Sequence, residues 1–131
     1  MSIRKSAFDS NLFAITLFTD DLIAGTEFYG ALLGLEEVYR DDVSVVYKCG
    51  ETLINLLNTS QAPGLISPAP VGVQSQARAV YTLRFKNIDD LAKDLDAAGV
   101  AILNGPIDRP WGVRTLSVQD PSGHIWEFAN H

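Results

Sequence analysis

Phe13–Arg40 reads FAITLFTDDLIAGTEFYGALLGLEEVYR, and three patterns succeed one another inside it. Through Leu17 apolar and polar side chains alternate, the two-residue period of a strand with one buried face. Asp20 or Asp21 then offers a carboxylate to cap a helix, and Leu22, Phe28, Tyr29, Leu32 and Leu33 follow at helical spacing until Gly34 stops it. Leu35–Arg40 is extended again. Past the Asp41-Asp42 turn, VSVVYKCG (43–50) is a third strand, and ETLINLLN (51–58) is a fourth after the break at Gly50. A strand, a helix and three strands make one βαβββ unit.

The unit recurs. VYTLRFKNIDDLAKDLDAAGV (80–100) is a strand, then a helix with Leu91, Leu95 and Ala98 on one face and a stop at Gly99. AILNGP (101–106) is a strand, and VRTLSVQ (113–119) and HIWEFAN (124–130) flank a turn at Asp120–Gly123. The chain is therefore expected to be one domain, 1–131, with module one at 11–58 and module two at 79–131. The linker 59–78 contains Pro63, Pro68, Pro70 and small polar residues without periodicity. First strands align at an offset of 66 (14 to 80) and last strands at 72 (55 to 127). The extra residues fall at GPIDRPWG (105–112), so a loop carrying Trp111 should overhang module two.

With 131 residues, 47% of them hydrophobic, the chain can bury its own core. Its one cysteine, Cys49, excludes an intrachain disulfide and reads as a small buried hydrophobe. The net charge of −6 comes from scattered residues with no basic patch, which argues against nucleic acid and suits solubility. No run approaches the ~18 apolar residues of a membrane span. MSIRKSAFDS carries two basic residues without an apolar stretch behind them, so a cytoplasmic protein is expected. Phosphate loops, CxxC and HExxH are absent from the sequence. Asp20-Asp21 and Asp89-Asp90 sit at helix starts, where capping accounts for them.

Two βαβββ modules, an opening of the form xxTLxxxDLxxxxxFYxxxLGL and the close DPSGHIWEF (120–128) resemble the vicinal oxygen chelate superfamily of glyoxalase I, bleomycin-resistance proteins and extradiol dioxygenases. The resemblance covers nearly the whole chain. It implies an α+β fold whose mixed sheets curve into a half-barrel around a shared cavity. It also implies a homodimer, with cavities formed across the subunit contact or by exchanged modules.

Metal-using members of that family take one ligand from the first and one from the fourth strand of each module. Those positions here are Ala14, Asn55, Val80 and Glu127. Two are alkyl, one offers an amide oxygen and only Glu127 is a strong ligand, short of the three or four that stable sites use. His131 ends the chain, and His124 lies three positions before Glu127, on the opposite face of an unbulged strand. Neither a metal nor another cofactor is expected.

Strand parity puts Ala14, Thr16 and Phe18, Leu53, Asn55 and Leu57, Val80, Thr82 and Arg84, and Ile125 and Glu127 on the cavity side. Ile15, Leu17, Tyr81, Leu83, Trp126 and Phe128 go under the helices. Tyr47 is a further cavity candidate whose parity the sequence does not fix. A buried Glu127 needs donors. Arg84 is the first partner to consider and Arg114 the second; an internal ion pair, a protonated carboxyl and a ligand group all satisfy the requirement. DRPWGVRTLSVQDPSGHIWEF (108–128) resembles the bleomycin-resistance branch most, which implies Trp111 at the mouth of a ligand groove, stacking on flat rings or cations. A plug packed on its own domain or on a dimer partner is the other reading of Trp111.

The expected function is metal-independent binding of a planar or cationic small molecule, as in drug-sequestering resistance proteins. Phe18, Tyr47, Asn55, Thr82, Arg84, Trp111, Arg114 and Glu127 are the candidate contacts. The alternative is a lyase, isomerase or dioxygenase-type enzyme with Glu127 as base or metal ligand, its carboxyl brought into a useful range by burial.

Overall fold

A computed structural model describes residues 9–131; the segment before Asp9, read above for a leader, lies outside them. The first module runs β1 (Ala14–Thr19), α1 (Leu22–Thr26) continued by a π-helical segment (Glu27–Leu32), β2 (Glu36–Arg40), β3 (Ser44–Cys49) and β4 (Thr52–Asn58). After a turn at Thr59–Gln61 and the short helix α2 (Pro63–Ile66), the second runs β5 (Val80–Arg84), α3 (Ile88–Ala97), β6 (Ile102–Asp108), β7 (Arg114–Gln119) and β8 (Ile125–Ala129). Each module forms a four-stranded mixed sheet, ordered β1-β4-β3-β2 and β5-β8-β7-β6, with the first strand at one edge and parallel to the fourth. The expected α+β pair of open, curved sheets is what forms.

Local chemistry sets each helix. Asp21 caps α1, its Oδ1 accepting from the Ala24 N–H at 3.0 Å. The helix then widens, and the Leu33 N–H bonds the Phe28 carbonyl five residues back at 3.0 Å. Glycines let it sit close to the sheet: a Cβ on Gly25 would lie 2.8 Å from Leu56 Cδ1, and one on Gly30 would lie 3.2 Å from the Tyr47 hydroxyl. In α3 the cap is Asn87, whose Oδ1 accepts from the Asp90 N–H at 3.0 Å. Asp89 and Asp90, expected to cap, stand in the first turn, where the helix dipole favours carboxylates.

The helical sides of both sheets meet in one core. Leu17, Tyr29, Tyr47, Ile54 and Leu56 of the first module pack in the same cluster as Leu95, Leu116, Val118, Trp126 and Phe128 of the second. Ring centres step across the junction, Tyr47 to Tyr29 at 6.2 Å, Tyr29 to Trp126 at 5.9 Å and Trp126 to Tyr81 at 5.2 Å. Polar groups pin the same place. Tyr29 Oη donates to Asp120 Oδ2 at 2.6 Å and accepts from Trp126 Nε1 at 2.9 Å, while Asp120 Oδ1 accepts the Ser122 and His124 N–H groups at 2.9 and 2.8 Å. Burial and the Asp120 carboxylate drive the Tyr29 pKa far above the usual phenol range, so it stays a neutral donor. His124 Nε2 lies 2.9 Å from the Phe18 carbonyl oxygen, which makes it the protonated ring nitrogen.

Two expectations change. Part of the GPIDRPWG insertion is strand rather than loop: β6 runs to Asp108, and its pairing with β7 shifts register twice, between Ile102 and Asn104 and again before Ile107. Gly105 makes this possible, since at φ +87 a Cβ there would lie 2.5 Å from the Thr115 carbonyl oxygen. The stretch between modules is also not free of structure, because besides its helical turns Gln74 Nε2 donates to the Pro121 carbonyl at 2.7 Å.

Replacing Tyr29 with Phe keeps the ring packing but strips partners from the buried Trp126 N–H and Asp120 carboxylate. Urea unfolding should show a loss of about 1–3 kcal/mol; unchanged stability would mean that this bond does not hold the modules together.

Candidate functional site

The side of each sheet away from the helices is open. In the second module, Thr82 on β5 lies directly beside Glu127 on β8, and Ser117 on β7 flanks it from the other side. Thr82 Oγ1 donates to Glu127 Oε1 at 2.9 Å, so a hydroxyl, and no arginine, partners the carboxylate. The first module repeats the pattern: Thr16 lies beside Asn55, with Asn55 Nδ2 3.5 Å from Thr16 Oγ1. Asn55 Oδ1 is buried there without a donor among the described residues. Ala14 and Val80 sit two positions along from these threonines, each facing an alkyl neighbour, Leu53 and Ile125.

These donors do not fit the divalent ion found in metal-using relatives of such a fold. Asn55 and Glu127 supply one oxygen type each, and no group of three His, Cys, Asp or Glu side chains converges anywhere among the described residues. His124 is turned to the Phe18 carbonyl and away from Glu127.

Arg84 does not reach Glu127; its Nη1 donates to the Asn130 carbonyl at 2.6 Å. Arg114 is on the wrong side of the sheet. It shares the parity of Leu116 and Val118, and its guanidinium pairs with Asp89 of α3 at 3.1 Å and Asp108 at 3.0 Å, which raise its pKa further. Tyr47 likewise lies in the core at 1% exposure, opposite Ile54. Phe18 is half-buried and borders a cleft of about 140 Å³ with the linker segment Val71–Gln74 and the Ser122–His124 turn.

Trp111 is 70% exposed, so within one chain it is no plug. Beneath it runs Arg109, a residue that motif reading passed over. Its Nε donates to Thr115 Oγ1 at 3.0 Å, its Nη2 to Asn104 Oδ1 at 2.9 Å, and its guanidinium carbon lies 5.9 Å from the Trp111 ring centre. The available signal was parity: Thr115 and Ser117 share the face of Glu127.

Larger spaces lie elsewhere. A groove of about 410 Å³ runs between the modules on the helical side, past Ala24, Phe28, Leu32, Val100 and Pro121. A second of about 280 Å³ holds Cys49 among Leu35, Leu83, Phe85 and Phe128. The shared cavity expected between the two sheets does not close among the described residues, because the faces that the modules bring together carry the helices and the common core.

Residues 11–128 match the family model described as the Glyoxalase/Bleomycin resistance protein/Dioxygenase superfamily, and the chain belongs to this superfamily. Solved structures agree on the fold. A glyoxalase-related enzyme from Fulvimarina pelagi superposes at a TM-score of 0.81 with 24% identity, over 93% of this chain and 88% of that one. A glyoxalase/bleomycin resistance protein/dioxygenase from Nocardioides gives 0.79 at 22%, over 94% and 84%. Lactoylglutathione lyase from Agrobacterium tumefaciens gives 0.74 at 20%, over 93% and 94%. At such identities the likeness concerns the fold. No helix among the described residues is long and apolar enough to cross a membrane.

Desolvation pushes the Cys49 thiol above its ordinary range. Less thiolate at a given pH means that iodoacetamide at pH 8 should alkylate Cys49 more slowly than free glutathione, the gap narrowing as pH rises. Labelling as fast as glutathione's would contradict a half-buried thiol.

Proposed function

We propose that the protein binds a planar small molecule without a metal ion, against Trp111 and the open face of the second module. Cytoplasmic sequestration of a drug-like compound, as in the bleomycin-resistance branch, is the biological form of this reading. One observation carries it: of the four positions where the family places metal ligands, two are alkyl, and Glu127 is held by a threonine hydroxyl. What is left on that face is a wide indole, a carboxylate and hydroxyls, groups that recognise a ligand by stacking and hydrogen bonding. The unpartnered Asn55 Oδ1 asks for a donor in the same way on the first module.

A second copy of the chain completes the proposal. Val80 and Trp111 are 55% and 70% exposed, and a homodimer would cover such surfaces and roof a pocket that one chain leaves open. Light scattering should return twice the mass of one chain. A monomer at micromolar concentration would remove the roof from this account.

Titration of the protein in EDTA with bleomycin and other flat heterocyclic compounds should quench tryptophan fluorescence saturably, and Trp111→Leu should weaken binding about 3- to 30-fold. The reading fails if no member of the panel gives a saturable change.

A further inference from the structure

We propose that Arg109 and Trp111 together recognise a flat monocarboxylate, the guanidinium taking the acid group and the indole the ring. This deepens the binding function proposed above and rests on it for the existence of a ligand, but not for the ligand's charge.

The guanidinium is fixed in place before any ligand arrives. The Arg109 N–H donates to the Val113 carbonyl at 2.8 Å and the Gly112 N–H to the Arg109 carbonyl at 3.0 Å, closing the turn that carries both side chains. The Nε/Nη2 edge is held by Thr115 Oγ1 and Asn104 Oδ1, and Thr115 is itself 1% exposed. Both acceptors are neutral. The positive charge is therefore oriented without being cancelled; Nη1 has no hydrogen-bond acceptor among the described residues, and Nη2 has one acceptor for its two N–H groups.

No carboxylate pairs with Arg109 among the described residues, and the same holds for Arg84, which is bonded to the neutral Asn130 carbonyl. Acidic side chains outnumber basic ones 16 to 10, and Arg40 and Arg114 both have carboxylate partners. Asp108, the residue next to Arg109, pairs with Arg114 instead. A free, preset fork of two parallel N–H groups matches the two oxygens of a carboxylate.

Trp111 supplies the second half. One ring face meets the guanidinium at 5.9 Å, and 70% exposure leaves indole surface for a ring attached to the acid. Glu127 limits the charge. It stands one strand over and two residues along from Thr115, roughly 8 Å away by strand spacing, where it disfavours a second negative charge and accepts a donor on the ligand's far side.

The test is calorimetric titration of the intact protein with three probes of one shape: 2-naphthoate, 2-naphthamide and 2-naphthylmethylammonium. The naphthoate should bind about tenfold tighter than the amide, and added salt should erode that preference. Arg109→Gln should erase the preference, naphthoate losing about tenfold more affinity than naphthamide, and Arg109→Lys, which keeps the charge but not the fork, should fall between. Trp111→Leu should weaken naphthoate and amide alike. Equal binding of naphthoate and amide, a preference for the ammonium, or an undiminished preference in Arg109→Gln overturns the carboxylate inference and leaves small-molecule binding standing. Failure of all three probes to bind overturns the carboxylate inference, and the binding function falls with it only if the flat heterocyclic panel also gives no saturable change.

Discussion

A phenol hydroxyl buried between two half-domains organises this molecule. Tyr29 comes from the helix of the first module; Asp120 and Trp126 come from the last turn and last strand of the second. Each polar atom in the group has a partner, so the junction can be dry and aromatic without leaving a charge or an N–H unsatisfied. The same Asp120 carboxylate holds the turn ahead of β8 through two backbone N–H groups. Module docking and the placement of Glu127, seven residues on, are thus controlled by one side chain.

That junction lies on the helical side of both sheets, and its position decides what the chain can offer a ligand. The faces that fuse the modules leave grooves only at their margins, past Phe28 and Val100 and around Cys49. The opposite faces remain open, and on them the two modules carry related but unequal polar pairs, Thr16 with Asn55 and Thr82 with Glu127. Duplication explains the likeness; the amide in one and the carboxylate in the other make the second module the acidic one. Arg109 then introduces a positive charge on that same module without neutralising it.

Much of this was legible in the sequence, for physical reasons that can be named. The switch from a period of two to helical spacing within Phe13–Arg40, and its return after Val80, identified both modules, and the parity of β1, β4, β5 and β8 followed from runs such as Leu17 and Trp126 that had to be buried. The sequence does not fix the parity of Tyr47, which β3 turns into the core beside Val45, and Arg114, offered as a partner for Glu127, is held instead by Asp89 and Asp108. The insertion around Trp111 was located, but its division between strand and loop depends on Gly105 and the shifted register of β6, which periodicity does not register. Arg109 was missed because arginine in a Pro-containing turn has no motif, and its role comes only from the hydroxyl and amide that the bulged strands bring beneath it.

The central claim is that this pair of open faces acts on a ligand with side chains alone. Elemental analysis of protein purified without added metal or chelator tests it most directly. The account predicts divalent ions far below one per chain. One zinc, nickel, iron or manganese per chain, lost in Glu127→Ala, would contradict it.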